Sequence, residues 1–306
     1  MKNLLIATTA LVATAGFAAA DITLSGAANV GLFNNGAAGA DTLMYNNVSV
    51  TAAMSGETDG GLTFGASLTM RSGDDVDLDV GDLGTNEAAA AVANFASETS
   101  LGNIYVSGDF GKLTFDSAGI DNLMDDAATN VMDVQYDGTF GALAVTLQAN
   151  VDGTAATAKD GDWAAKAAYS ANGVTFTAVT NSGSEYDVTA AYVINDMLTA
   201  SVNYDSNGQT VATVAKSETI VKVAYSNAGV TAHLALADDK DDAWELGLGY
   251  AANGLSIAAV FAENDGAAVA GTESDITASY DLGGGMSINA ATNESGAFFI
   301  GSKMSF

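Results

Sequence analysis

From Asp21 onward the chain alternates apolar and polar residues with a period of two, in run after run, and that pattern restricts it to extended strands with two unlike faces. Leu62, Phe64, Ala66, Leu68 and Met70 share one face, with Thr63, Ser67, Thr69 and Arg71 on the other. Leu143, Val145 and Leu147 oppose Thr146, Gln148 and Asn150, and Leu198, Ala200, Val202 and Tyr204 oppose Thr199, Ser201, Asn203 and Asp205. Proline is absent. A residue that cannot donate to a ladder is excluded from interior strands, so its absence suits a chain that is almost all paired strand. No apolar run after residue 20 approaches the roughly 20 residues of a membrane-crossing helix.

Alternation alone also describes a water-soluble sandwich. A second pattern separates the two. Tyr136, Tyr169, Tyr192, Tyr225, Tyr250 and Tyr280 each precede a short Gly- or Asn-containing turn, and parity puts all six on the apolar face. That predicts a ring of Tyr at one height. A phenol ring prefers hydrocarbon and its hydroxyl prefers water, so such a ring settles at a membrane interface and marks a transmembrane barrel. Trp163, Tyr186, Trp244 and Phe261 are candidates for the opposite rim. Turns at the Tyr end are short, and the connections at the other end are longer and more variable. An open sheet edge in lipid would leave backbone groups unpaired at several kcal/mol each. The expectation is therefore all-β: a closed, antiparallel, up-and-down transmembrane β-barrel of 16 or 18 strands, with the count favouring 18.

The N terminus reads as an export signal covering residues 1–20: Lys2, an apolar stretch from Leu4 to Phe17, and Ala18-Ala19-Ala20 before Asp21. Residues 21–306 form the single barrel domain. There is no Cys, so an exported chain of this length must fold without disulfides. The 37 acids against nine bases give a net charge of −28, a field that repels nucleic acid and attracts cations.

The polar face is expected to line water. By parity its ionisable residues are Arg71, Lys112, Asp116, Asp133, Lys166, Asp187, Lys222, His233, Glu245 and Lys303. Inward aromatics are few, chiefly Phe33, Tyr45, Tyr105 and Phe299. Asp74, Asp75, Asp77 and Asp79 form an acidic run placed in an outer loop, where Ca²⁺ could find several oxygens. The run does not follow the EF-hand pattern, and a solvated acidic loop is the plainer expectation; no cofactor is required. Asn86 could cap a short helix over Ala88 to Phe95. An enzyme is not expected, because the only His is His233 on the inward face and there is no Cys nucleophile. A secreted acidic surface-layer or adhesin protein would share the acidity but would not need the Tyr ring. A sugar or small-carboxylate channel is the nearer alternative.

Four segments resemble the general outer-membrane porins of the alphaproteobacterial type: Asp21-Ile22-Thr23-Leu24-Ser25-Gly26, Ser107-Gly108-Asp109-Phe110-Gly111-Lys112-Leu113, Ser279-Tyr280-Asp281-Leu282-Gly283-Gly284-Gly285, and Gly301-Ser302-Lys303-Met304-Ser305-Phe306. The resemblance implies passive diffusion of ions and small hydrophilic solutes through a water-filled pore in a Gram-negative outer membrane, as a homotrimer among lipid and lipopolysaccharide. It implies that terminal Phe306 is read as an insertion signal by the barrel-insertion machinery. It also implies a third outer loop folded into the lumen, here 117–130, with Asp121, Asp125 and Asp126 at the constriction beside Asp116. Arg71, Lys112, Lys166, Lys222 and Glu245 would face that loop from the wall. The loop is shorter than the family's, and the chain has a single Arg where the family commonly has a cluster. With acids in excess, weak cation selectivity is the expectation.

Overall fold

The structure, a computed structural model, describes residues 21–36, 39–75, 93–124, 132–151, 161–211, 214–238, 243–264 and 271–306. Its strand segments are β1 (Asp21–Asn34), β2 (Leu43–Glu57), β3 (Thr63–Asp75), β4 (Ala93–Leu101), β5 (Ile104–Gly108), β6 (Gly111–Ile120), β7 (Met132–Phe140), β8 (Leu143–Ala149), β9 (Trp163–Ala171), β10 (Val174–Asn181), β11 (Tyr186–Asn195), β12 (Leu198–Val211), β13 (Val214–Asn227), β14 (Val230–Asp238), β15 (Trp244–Ala252), β16 (Leu255–Asn264), β17 (Gly271–Gly283), β18 (Met286–Asn293) and β19 (Phe298–Ser305). Among the described residues every pairing is antiparallel and joins sequence neighbours, save that β3 pairs with both β4 and β5 and that β1 also pairs with β19. These two are one strand interrupted at Gly102-Asn103, where the Gly102 N–H still reaches the Ser67 carbonyl at 2.9 Å. Nineteen segments thus make an 18-stranded barrel.

Closure is made by β1 and β19, paired from Ala27 with Ser305 to Asn34 with Phe298. The terminal residue completes it: Phe306 N–H donates to the Gly26 carbonyl at 2.8 Å, and Gly26 N–H returns a bond to Phe306 at 3.1 Å. The sheet thereby closes on itself. The short turns are set by left-handed residue pairs, Asn172-Gly173, Ala228-Gly229 and Asn253-Gly254, all at positive φ. Two consecutive positive φ values match the right-handed strand twist, which is why an Asn- or Ala-Gly pair sits there.

The period-two pattern becomes two media. Ile22, Leu24, Val30 and Leu32 of β1 stand on the outer face beside Met54, Ala52, Asn46 and Met44 of β2. Large apolar side chains remain exposed on this face all the way round, including Leu68's neighbour Met70, Val202, Leu234, Leu248, Ile276 and Ile300. A soluble protein rarely leaves so much contiguous apolar surface bare; here it forms a band that only hydrocarbon would cover. The inner face carries Thr, Ser, Asn, Gln and charge. There is no dry core between two sheets.

Three expectations are corrected. The last three residues of the helix expected over Ala88 to Phe95 are strand, because Ala93, Asn94 and Phe95 pair with Asp75, Asp74 and Gly73; residues 88–92 lie outside the described residues. By the same pairing Asp74 and Asp75 end β3 rather than lying in a loop; Asp77 and Asp79 lie outside the described residues. In both cases the hairpin ladder extends further than the alternation does, since backbone pairing does not depend on side-chain pattern. The inward loop also starts later than 117, because β6 continues to Ile120.

The turns give a direct test. Gly229 has φ +82°, and an added Cβ would stand 2.1 Å from the Ala251 carbonyl oxygen. Gly229→Ala should destabilise the barrel by about 1–3 kcal/mol, read as a lower temperature for conversion of the folded to the unfolded band on a gel.

Candidate pore lining

Cross-strand register places most of the ionisable residues named from the sequence; Asp133, which falls within the shift of the β6–β7 register, accepts from Val151 N–H at 2.8 Å. Arg71 faces Ser49, Lys303 faces Asn29, Lys222 faces Ser201, His233 faces Gly247, and Glu245 faces Ala262, all on the inner face. Asp116 shares the parity of Lys112 and Thr114 but sits where the β6–β7 register shifts, between Phe115 and Ile120. Asp125 and Asp126 lie outside the described residues.

One inner row is continuous over eight strands: Lys112, Asp137, Thr146, Lys166, Val179, Asp187, Asp205 and Glu218. Lys112 is beside the short turn that opens β6, whereas Glu218 is near the far end of β13. Strands in such a barrel tilt by roughly 35–45°, so a row perpendicular to them climbs the wall as a spiral. This one begins with cations and ends in three carboxylates on adjacent strands. Its lower half is self-satisfied: Asp137 accepts from Gln135 Nε2 at 2.8 Å and Thr146 Oγ1 at 2.9 Å, and Lys112 Nζ lies 4.8 Å above the Tyr105 ring. In the upper half Asn203 Nδ2 donates to both Asp187 oxygens at 2.9 Å. Asp187 and Asp205 are direct cross-strand partners, as are Asp205 and Glu218. Like charges so opposed destabilise a sheet unless water and mobile ions screen them.

A second group joins three strands. His233 Nε2 is 2.6 Å from Glu245 Oε1, and Lys222 Nζ is 3.7 Å from the same oxygen. Gly247 leaves room for the imidazole, which lies where a Cβ would be. Glu245 and Lys222 are both more than two-fifths exposed, so this ion pair contributes at most about 1 kcal/mol and serves as wall charge rather than as a staple. Beyond it stand Glu273 and Asp275, facing Ala262 and Val260.

The rest of the wall, from β14 to β19 and β1 to β3, carries many small residues, with the charges of Glu245, Glu273, Asp275, Lys303 and Arg71 set among them. A cavity of about 600 Å³ opens along it, lined in part by Asn29, Asn47, Arg71, Ser279, Asn289 and Lys303. Asn29 Nδ2 donates to Asn47 Oδ1 at 2.8 Å. Three of the four inward aromatics are packed rather than presented: Tyr45 is 2% exposed, Phe33 4% and Phe299 7%, while Tyr105 is half-buried beneath Lys112. The Tyr45 ring lies over Gly31 and Gly301, whose missing side chains make its bed.

The segment after β6 leaves the ladder and lies against the inner wall. Gln148 Oε1 accepts from Leu123 N–H at 2.9 Å, and Gln148 Nε2 donates to the Asp121 carbonyl at 2.8 Å and to Gln135 Oε1 at 2.8 Å. Asp121 itself is exposed while Met124 is buried.

On the outer face all six Tyr stand as expected. Tyr169, Tyr192, Tyr225, Tyr250 and Tyr280 pair with Leu143, Val174, Leu198, Val230 and Leu255, each the first residue of its strand. Tyr136 pairs with Leu113 and donates to the Phe110 carbonyl at 2.6 Å. The turn that follows Tyr136 is at Gly141-Ala142, not at Asp137-Gly138, which is how Asp137 comes to point inward. Trp163, Tyr186, Trp244 and Phe261 face out at the other rim, where Tyr186 stacks on Tyr204 at 5.8 Å. Sequence reasoning passed over Asp137 and Glu218 as lining residues, although parity with Asp133 and Lys222 on the same strands would have found them. Among the described residues no cluster of three His or acidic side chains is arranged to hold a metal ion.

Two aromatic rims around a closed sheet, with charge and amides inside, define a transmembrane channel barrel. The family model for Gram-negative porins matches residues 7–296, and the chain belongs to that family. Among solved structures, two multiply substituted variants of Rh. blastica porin superpose with TM-scores of 0.55 and 0.53 at 18% and 20% identity, and a triple mutant of Rhodopseudomonas blastica porin gives 0.53 at 19%. Each comparison covers 94% of this chain and 100% of the other. No curated protein matches the sequence.

Because Tyr45 covers two glycines, Tyr45→Ala should uncover backbone and leave a void, costing about 3 kcal/mol. Urea unfolding of the barrel in detergent or lipid checks this.

Proposed function

We propose that this porin is a passive channel for ions and small hydrophilic solutes with a weak preference for cations. The observation that carries the preference is the run of Asp187, Asp205 and Glu218 on three adjacent strands of the inner wall, joined there by Glu245, Glu273 and Asp275. Facing acids raise the local cation concentration. Lys112, Lys166, Lys222, Arg71 and Lys303 oppose them, which keeps the preference weak. Asp116 and Asp121, at the shifted end of β6 and on the segment beside it, are assigned to the narrowest part with the loop they lead into. Residues 1–20 serve as the export signal, Phe306 as the insertion signal, and the working form is a trimer in the outer membrane.

A sugar-specific channel would need aromatic faces open to the lumen. Phe33, Tyr45 and Phe299 are too buried to offer them and the Tyr105 ring is covered by Lys112, which favours general diffusion.

Reversal potentials across a planar bilayer in a KCl gradient test the reading. The native protein should favour K⁺, and the preference should shrink between 0.1 M and 1 M salt as the Debye length falls from about 10 to about 3 Å. Asp187→Asn, Asp205→Asn and Glu218→Gln combined should bring the permeability ratio toward unity. Anion preference in the native channel, or an unchanged ratio in the triple variant, contradicts the assignment.

A further inference from the structure

The ladder between β6 and β7 is broken: Phe115 pairs with Val134, and the next pair is Ile120 with Met132. Chain that leaves a sheet must find other partners for its N–H and C=O groups, since unpaired backbone away from water costs about as much as a lost hydrogen bond. For the segment from Asp121 to Met124 those partners include one side chain, Gln148 of β8. Its carboxamide presents an acceptor to Leu123 N–H and a donor to the Asp121 carbonyl, as a neighbouring strand would. The second donor of the same nitrogen goes to Gln135 Oε1 on β7, so the amide is tied to the wall as well as to the segment.

The surroundings are built for this. Gln148 is only 4% exposed, its cross-strand neighbour Ala164 is 1% exposed, and Thr114, which pairs with Gln135, and Met124 are buried too, at 4% and 8%. In such a dry spot an unmet amide costs about 1–3 kcal/mol, so the bonds are strongly held. Only Gln fits both demands. Glu would offer two acceptors and no donor, and Asn is a methylene short. Asp121 meanwhile keeps its side chain exposed, so the clamp fixes its backbone and leaves its carboxylate free to face the solvent.

We propose that Gln148 is the positioning residue of this channel, holding the Asp121–Met124 segment against the inner wall and thereby setting the open cross-section. The inference rests on the channel reading above. It makes the pore size depend on one buried amide in β8 rather than on the charged residues that line the water.

Two variants approach the clamp from opposite sides. Gln148→Glu removes its donor, and Leu123→Pro removes the N–H that Gln148 accepts from, in a segment outside the barrel ladder. Thr199→Ala, an inward change on β12 that spares both bonds to the segment and the tie to Gln135, is the control. Single-channel recording and liposome swelling with a graded series of neutral sugars supply the readouts. Both clamp variants should lose the single native conductance level for a noisier, larger one and admit larger sugars, while the control keeps the native level. Unaltered conductance and size cut-off in folded Leu123→Pro protein would overturn the clamp, whatever Gln148→Glu does, because an effect of the latter alone would be one of added charge. Native protein that forms no channel at all would instead overturn the reading on which the clamp rests.

Discussion

Hydrocarbon offers no hydrogen bonds, and that single deficit dictates this architecture. Every strand must give its backbone to two neighbours, so the sheet must return on itself. The closing pair, β1 with β19, is therefore as important as any side chain. The chain brings its last residue into that seam, where Phe306 and Gly26 exchange bonds. Absence of proline and the left-handed Asn-Gly and Ala-Gly turns are consequences of the same demand.

Once closed, the sheet separates two solvents, and side chains sort accordingly. Outward, Leu, Val and Ile meet oil between two aromatic rims. Inward, charge and amides meet water, and close packing is confined to places where glycine makes room, as under Tyr45 and His233. The continuous charged spiral from Lys112 to Glu218 meets a wall on which Glu245, Glu273, Asp275, Lys303 and Arg71 stand among small residues. On the inner wall Gln148 also holds the segment from Asp121 to Met124, which we propose sets the open cross-section.

Much of this was legible in the sequence because its period is so regular. Parity alone put Arg71, Lys166, Lys222, His233 and Glu245 on the inner face, and the six-fold Tyr offset gave one rim. It failed where backbone pairing outlasts the pattern, as at Asp74, Asp75 and Ala93 to Phe95, and where a turn was placed early, as after Tyr136. Gln148 was visible as an inward residue of β8 but not as a clamp. Its partners, Asp121 and Leu123, lie 25 or more residues away across a broken ladder, and no local spacing reports that meeting.

The central claim is that alternate residues of one strand touch different liquids. Cysteine placed singly at each position from 245 to 251 of β15, in a chain with no native Cys, tests it in liposomes. Positions 245, 247, 249 and 251 should react with a small charged thiol reagent through the lumen. Positions 246, 248 and 250, labelled with a fluorophore, should be quenched by lipid-borne nitroxide and be unreactive toward the charged reagent. Uniform reactivity along the strand, or protection of both sets from both probes, would contradict a water-filled barrel in a membrane.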